Sequence, residues 1–193
     1  MPDIQLILGI MAALVAAAGY IPYINAIFKK ETKPNRASWF IWAVLGIITF
    51  ASYYAAGART TVWYTLPLGT LTVSALSLKY GTGGWHRFDS ACILAAGAGL
   101  ALWLISGNPL VALSMMVLID FFAYLPTIRK ARIDPSSENK PAWELFALSG
   151  VLNFLAIDQW TIEVAAYPLA MMALNIFVYA LLVWETRTIK KKE

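Results

Sequence analysis

The sequence predicts an all-α polytopic membrane protein of seven transmembrane helices, arranged as two parallel three-helix units joined by a linker helix (3+1+3). Three observations carry that expectation. Of the 193 residues, 60% are hydrophobic and 13% charged, with a mean hydropathy of +0.64, whereas a soluble domain is about half apolar and about a quarter charged. The Lys and Arg residues segregate into alternate loops. The chain also resembles itself at a fixed offset of 104 residues. Because the apolar character runs along the whole length, removing a leader would leave the rest equally greasy, which excludes a soluble secreted protein.

Each element follows from charge and turn signals, given that about 20 helical residues cross a hydrocarbon core of about 30 Å. The first span is Ile4–Phe28, the second covers 38–57 and the third 61–78. A polar segment, KYGTGGWHRFD, precedes an uncharged stretch at 90–119 that is too long for one helix. Gly107-Asn108-Pro109 divides it, with the proline opening a new helix, into spans four (90–106) and five (109–128). Span six (143–157) is short, and span seven (162–184) ends in the basic tail TRTIKKKE.

With seven spans, one side of the bilayer holds 14 Lys and Arg residues and the other holds Arg59 alone. Basic loops stay in the cytoplasm, so the amino terminus is expected outside and the carboxyl terminus inside. Adding or losing one span would destroy that asymmetry. The net charge of +4 therefore reads as a topology signal, and no nucleic-acid partner is expected.

The repeat decides the architecture. An offset of 104 residues lays Tyr20, Pro22 and Ile24 over Tyr124, Pro126 and Ile128. The same offset pairs Asn35 with Asn139, Trp39 with Trp143, Ala43 with Ala147, Gly46 with Gly150 and Phe50 with Phe154. Shortening the next loop by three residues aligns Pro67-Leu68 with Pro168-Leu169. A three-span unit ends on the side opposite its start, so its copy keeps the same orientation only if one helix intervenes, and span four supplies it. The units are 1–80, 81–108 (loop and linker helix) and 109–193. Small residues in the linker (ACILAAGAG) suit close helix packing.

A GYIP segment (Gly19–Pro22), a basic loop and a Trp-rich helix, with AYLP (Ala123–Pro126) and a second basic loop at the matching place in the second half, resemble the PQ-loop repeat. That repeat is shared by SWEET and SemiSWEET sugar carriers, cystinosin-type amino-acid exporters, KDEL receptors and, more distantly, PnuC vitamin transporters, a transporter-opsin type superfamily of 3+1+3 seven-helix proteins. The resemblance implies a central cavity between the repeats and hinge prolines at Pro22, Pro126 and Pro141, with Ala37 at the fourth position. The glutamine position of the motif holds Tyr23 and Thr127, and the sugar-binding asparagine positions hold Leu68 and Leu169. The cavity position on the preceding helix falls at Thr49 and Asn153.

Polar groups inside the spans are the candidates for chemistry, because an unpaired polar group is costly in lipid. Asp120 is the one acid well inside a span. Its ionised form at mid-depth costs about 2.5 to 3.5 kcal/mol on insertion scales, which makes it a candidate group for proton coupling or for recognising a substrate's positive charge. The alternative is a neutral acid hydrogen-bonded to a neighbouring helix. Tyr124 and Thr127 share its face, while the first repeat has Ala16 at the equivalent place. Asn153 and Asn175 offer a donor and an acceptor each, with interhelical bonding as the rival role. Thr49, Ser74, Tyr20 and Tyr124 complete the candidate solute-binding set. Pro22 and Pro126 each remove a helix hydrogen bond at matching depth, as expected of hinges.

Trp39, Trp63, Trp85, Trp143, Trp160 and Trp184 lie near span ends and are expected as interface anchors. His86 is expected on a solvated surface, Glu144 in water or paired with Lys140, and Cys92 in packing. One cysteine and one histidine give no disulfide framework and no metal or haem ligand set, so no metal and no cofactor are expected. No Gly-rich nucleotide loop is present.

The expected function is therefore plasma-membrane transport of a small polar organic solute, by alternating access. An amino acid, amine, vitamin or sugar is favoured in that order, with protons as a candidate coupling ion. An organelle membrane and a homo-oligomer remain compatible. The alternative is a KDEL-receptor-like receptor or assembly factor that binds a peptide or protein through Lys29, Lys30, Arg129 and Lys130. A membrane enzyme lacks a nucleophile–base pair in the spans, and a retinal photoreceptor lacks a lysine in span seven.

Overall fold

The computed structural model describes residues 4–55 and 62–190. Among them are seven α-helices: α1 (Ile4–Phe28), α2 (Arg36–Ala55), α3 (Val62–Tyr80), α4 (Arg87–Ser106), α5 (Pro109–Ile133), α6 (Lys140–Leu155) and α7 (Ile162–Lys190). Three are long and apolar enough to cross a membrane, Ile4–Phe28, Arg87–Ser106 and the Val164–Thr186 stretch of α7, and the chain is a membrane protein. Arg59 lies outside the described residues, as does the side chain of Trp63.

Local chemistry sets the boundaries. Asn35 accepts from Ala37 N (2.9 Å) and Ser38 N (3.2 Å) to open α2, and Asn139 accepts from Ala142 N (2.9 Å) to open α6. These two caps stand 104 residues apart, and each contributes about 1 kcal/mol. Gly107, at φ 59° in the left-handed region, ends α4, and Asn108 caps α5 through Leu110 N at 2.9 Å. The turn expected at Gly107-Asn108-Pro109 is therefore present. The charged flanks are more helical than expected: α4 begins at Arg87, α5 runs on to Ile133, α6 begins at Lys140 and α7 reaches Lys190.

Helix contacts close a ring. In sequence around it, α3 touches α1, α1 touches α6, α6 touches α7, α7 touches α5, α5 touches α2, and α2 touches α3. In each triplet the third helix lies between the first two, and the first helix of one triplet packs on the second of the other. The α4 helix stands outside the ring against α5 and α2. Its small face, including Cys92, Ala96 and Gly99, is buried; a Cβ on Gly99 would stand 3.0 Å from Ile119 Cγ1. Its other face exposes Leu94, Leu104 and Ile105, as a lipid-facing surface does.

The basic loops meet at one end of the bundle. There Lys33 N donates to Ser137 O (3.0 Å), Thr82 N to Pro34 O (2.9 Å) and Arg36 N to Thr82 O (3.0 Å). Gly83 and Gly84 adopt φ of 69° and 88° in this crossing, and Gly84 N donates to buried Asp89 at 2.7 Å. Such left-handed backbone favours glycine.

Candidate functional site

Inside the ring lies a cavity of about 260 Å³, reached by all six ring helices and not by α4. On α2 its wall runs from Trp39 to Thr49, a depth of about 15 Å at 1.5 Å per residue. The lining follows the internal repeat. Ala16 and Asp120, Tyr20 and Tyr124, Trp39 and Trp143, Trp42 and Phe146, and Leu45 and Ser149 all face it, and every pair is separated by 104 residues. Equivalent positions of the two triplets thus look into one space, and the substitution of Ala16 by Asp120 makes that space chemically one-sided.

Aromatic rings build the floor nearest the basic end. Trp42 packs edge-on against Trp39 (5.0 Å between centroids) and Tyr124 (4.9 Å), while Phe146 meets Tyr20 (5.2 Å) and Trp143 (5.7 Å). Edge-to-face contacts of this kind are worth about 0.5–1.5 kcal/mol each beyond burial. Gly46 and Gly150 let the walls close. A Cβ on Gly46 would meet Pro67 Cα at 3.3 Å, and one on Gly150 would meet Met172 Cα at 3.0 Å.

Asp120 is buried on the wall. Tyr167 Oη donates to its Oδ2 at 2.8 Å, and Trp42 lines the same cavity. A helical turn lower, Tyr124 Oη donates to Asn175 Oδ1 (2.9 Å), whose own amide nitrogen donates to Met171 O (2.9 Å). The polar stripe expected below Asp120 continues to Thr127, which is fully buried and donates to Ser38 Oγ across α2 at 2.8 Å.

Beneath the aromatic floor the basic end is sealed by a buried charge pair. Lys130 Nζ lies 2.7 Å from Glu138 Oε1. Glu138 Oε2 accepts from Tyr23 Oη (3.1 Å) and Trp143 Nε1 (2.9 Å), and Tyr23 Oη accepts from Trp39 Nε1 (3.2 Å). Lys130 also donates to the carbonyls of Lys33 and Ser137. One carboxylate thereby ties α1, α5 and α6, and through Tyr23 also α2. Beside it, in the loop, the Ser136 hydroxyl bonds to Asp134 at 2.6 Å and holds that carboxyl below the usual range, with Lys130 and Lys33 acting in the same direction.

Of the residues expected at the site, Tyr20, Thr49, Asp120, Tyr124 and Asn175 line the cavity. Asn153 does not: it is exposed in the last turn of the short helix α6, and Ser149, one turn earlier, faces the cavity and donates to Ala12 O at 2.8 Å. Ser74 is half-buried on α3 below Thr70, off the lining, and its carbonyl accepts from Ser77. Pro22 and Pro126 interrupt α1 and α5. Pro141 stands in the first turn of α6, where a missing N–H breaks no ladder bond, so it bends no helix interior. Pro67 and Pro168 do stand within α3 and α7.

Two expected interface tryptophans are corrected. Trp39 and Trp143 are 2% exposed, because their indole N–H groups find buried acceptors in Tyr23 and Glu138. Trp85, Trp160 and Trp184 are exposed, as are His86 and Glu144. Sequence reasoning missed Tyr167 and Glu138. The first precedes the aligned proline Pro168, which marked its depth, whereas nothing local in the polar segment IDPSSENK marks Glu138 as buried. Comparison of the chain with protein-family models, with curated proteins and with solved structures finds no match in any of the three.

Proposed function

We propose that the chain is a seven-span membrane carrier of a small polar organic solute, working by alternating access between two parallel three-helix units with α4 as the linker. One observation carries this reading: a cavity walled by equivalent positions of both triplets, closed at the basic end by the Lys130–Glu138 network. The mirrored contacts, α1 on α6 and α5 on α2, supply two equivalent seams about which one unit rocks on the other. The prolines inside α1, α3, α5 and α7 lie where helices bend. The resemblance to PQ-loop proteins points the same way, and the basic-loop asymmetry puts the sealed end in the cytoplasm.

In this conformation the solute site is shut off from the basic side. Opening there requires the Tyr23–Glu138 and Thr127–Ser38 bonds to part, since each joins the two units. Uptake or exchange of a panel of radiolabelled amino acids, amines, vitamins and sugars by proteoliposomes of the purified protein tests the proposal. Saturable flux of at least one solute, lost when Ser38 and Thr127, which meet across the two units, are cross-linked through introduced cysteines, is the expected result. Proteoliposomes that bind solutes yet move none of them, or tags on both termini found on one face of the membrane, overturn it.

A further inference from the structure

The cavity has a charge inventory that narrows its occupant. Among the described residues, Asp120 is its only acidic wall residue and no Lys, Arg or His lines it. The carboxyl is held by a neutral donor, Tyr167, and a carboxylate accepts at about four lone-pair sites. Room to accept therefore remains. A cation is attracted to this acid and to the aromatic rings around it, whereas an anionic group entering the same space meets a like charge and no basic side chain.

The neutral polar groups argue in the same direction. Ser149, Thr70, Tyr124 and Asn175 each donate to a protein acceptor, respectively Ala12 O, Pro67 O, Asn175 Oδ1 and Met171 O. With those hydrogens engaged, the groups offer a solute mainly lone pairs. An ammonium, which only donates, suits such acceptors, as a cation suits the ring surfaces and the carboxylate. The capped amino termini of α2 and α6, at Asn35 and Asn139, lie outside the lining, so neither of these two helix ends offers a compensating site for a solute carboxylate. The volume of about 260 Å³ lies below the about 300–1,000 Å³ of pockets for drug-sized ligands.

Resting on the carrier reading above, we infer that the cavity takes a small organic cation without an anionic group of its own, an amine or quaternary ammonium, its positive centre between Asp120 and the rings of Tyr20, Trp42, Tyr124 and Trp143. The aromatic floor excludes water from the charge, and Asp120 fixes its height in the bundle. Ala16, the repeat-related position on α1, contributes no second charge, so the site matches one positive centre and not two.

The test compares three solutes of nearly the same shape on the purified full-length protein, by tryptophan fluorescence titration and equilibrium dialysis: choline, its uncharged carbon isostere 3,3-dimethylbutan-1-ol, and the zwitterion betaine. Choline is expected to bind at least about tenfold more tightly than either, a difference of about 1.4 kcal/mol. Asp120→Asn is expected to abolish that preference, and Trp42→Leu to weaken choline while leaving the isostere little changed. Should Asp120→Asn fail to fold, the wild-type comparison decides alone. Equal binding of all three, tighter binding of betaine, or no binding of choline overturns the inference. Choline bound but not transported by proteoliposomes leaves the cation site standing and defeats the carrier. Flux of sugars or acids without cation preference does the reverse.

Discussion

Replacing Glu138 by glutamine tests whether the basic end is held shut by charge. The native carboxylate is 0% exposed in its side chain, 2.7 Å from Lys130 Nζ, and accepts from two donors on other helices. Removing one partner of a buried ion pair costs about 3–5 kcal/mol, because the other charge is left uncompensated. Lys130 keeps the carbonyls of Lys33 and Ser137 as acceptors, and glutamine keeps one acceptor for Tyr23 and Trp143. The expected loss is therefore near the lower limit, about 3 kcal/mol.

If that energy separates a state closed at the basic end from one open there, Glu138→Gln shifts their ratio by about 10²-fold, at 1.4 kcal/mol per tenfold. The shift is read by adding Thr127→Cys, a position fully buried in the closed state, to a Cys92→Ala background. Labelling by a membrane-impermeant maleimide applied from the basic side is then timed. The rate is expected to rise about 10²-fold with glutamine and further with alanine, which strips Tyr23 and Trp143 of their acceptor at about 1–3 kcal/mol each. Joint replacement, Lys130→Met with Glu138→Gln, is expected to bring the rate below that of Glu138→Gln alone, since no charge is then left unpaired and glutamine still accepts from Tyr23 and Trp143. Unchanged labelling in Glu138→Gln, together with an unchanged Tm, refutes the argument that this pair holds the bundle closed.

Other outcomes follow from the packing. Gly150→Ala is expected to lower stability by about 1–3 kcal/mol through its clash with the α7 backbone, whereas Gly97→Ala, with nothing within 4 Å of the new methyl, is expected to gain up to about 1 kcal/mol of helix propensity. Thermal unfolding in one detergent compares them, and equal effects would contradict the close α6–α7 approach. Asn139→Ala and Asn35→Ala are each expected to cost about 1 kcal/mol, and Asn139→Ser little; a neutral alanine variant would mean that the caps carry no weight. The Asp134 carboxyl lies below its ordinary value in the folded chain, so its contribution to stability is complete above the unfolded value and fades as pH falls through the folded one. Ser136→Ala should move that loss to higher pH in acid-unfolding curves, and identical curves would remove the role given to the Ser136 hydroxyl.

Much of the architecture is legible in the residues alone. Helix positions, the break at Gly107-Asn108-Pro109, the close packing of the linker helix and the 104-residue register are written in hydropathy, turn chemistry and spacing. Those are local properties of a chain, set by what each stretch does to its own backbone and to the apolar phase around it. The register even anticipated which positions share a cavity: Tyr20 with Tyr124, and Asp120 opposite Ala16.

Which polar groups meet was decided by tertiary structure. Tyr167 reaches Asp120 from 47 residues away and Tyr23 reaches Glu138 from 115, and no periodicity encodes such pairings. Trp39 and Trp143 sit at helix starts, where tryptophan ordinarily marks a membrane interface, yet the crossing of α1 and α6 and of α2 and α5 turns both rings inward. Glu138 reads as a loop acid and becomes a buried one because the basic loops fold over the end of the bundle and bring Lys130 to it. Sequence pattern reports how a helix divides between apolar and polar surroundings; only the helix crossings determine which side chains are left to satisfy one another once water is gone.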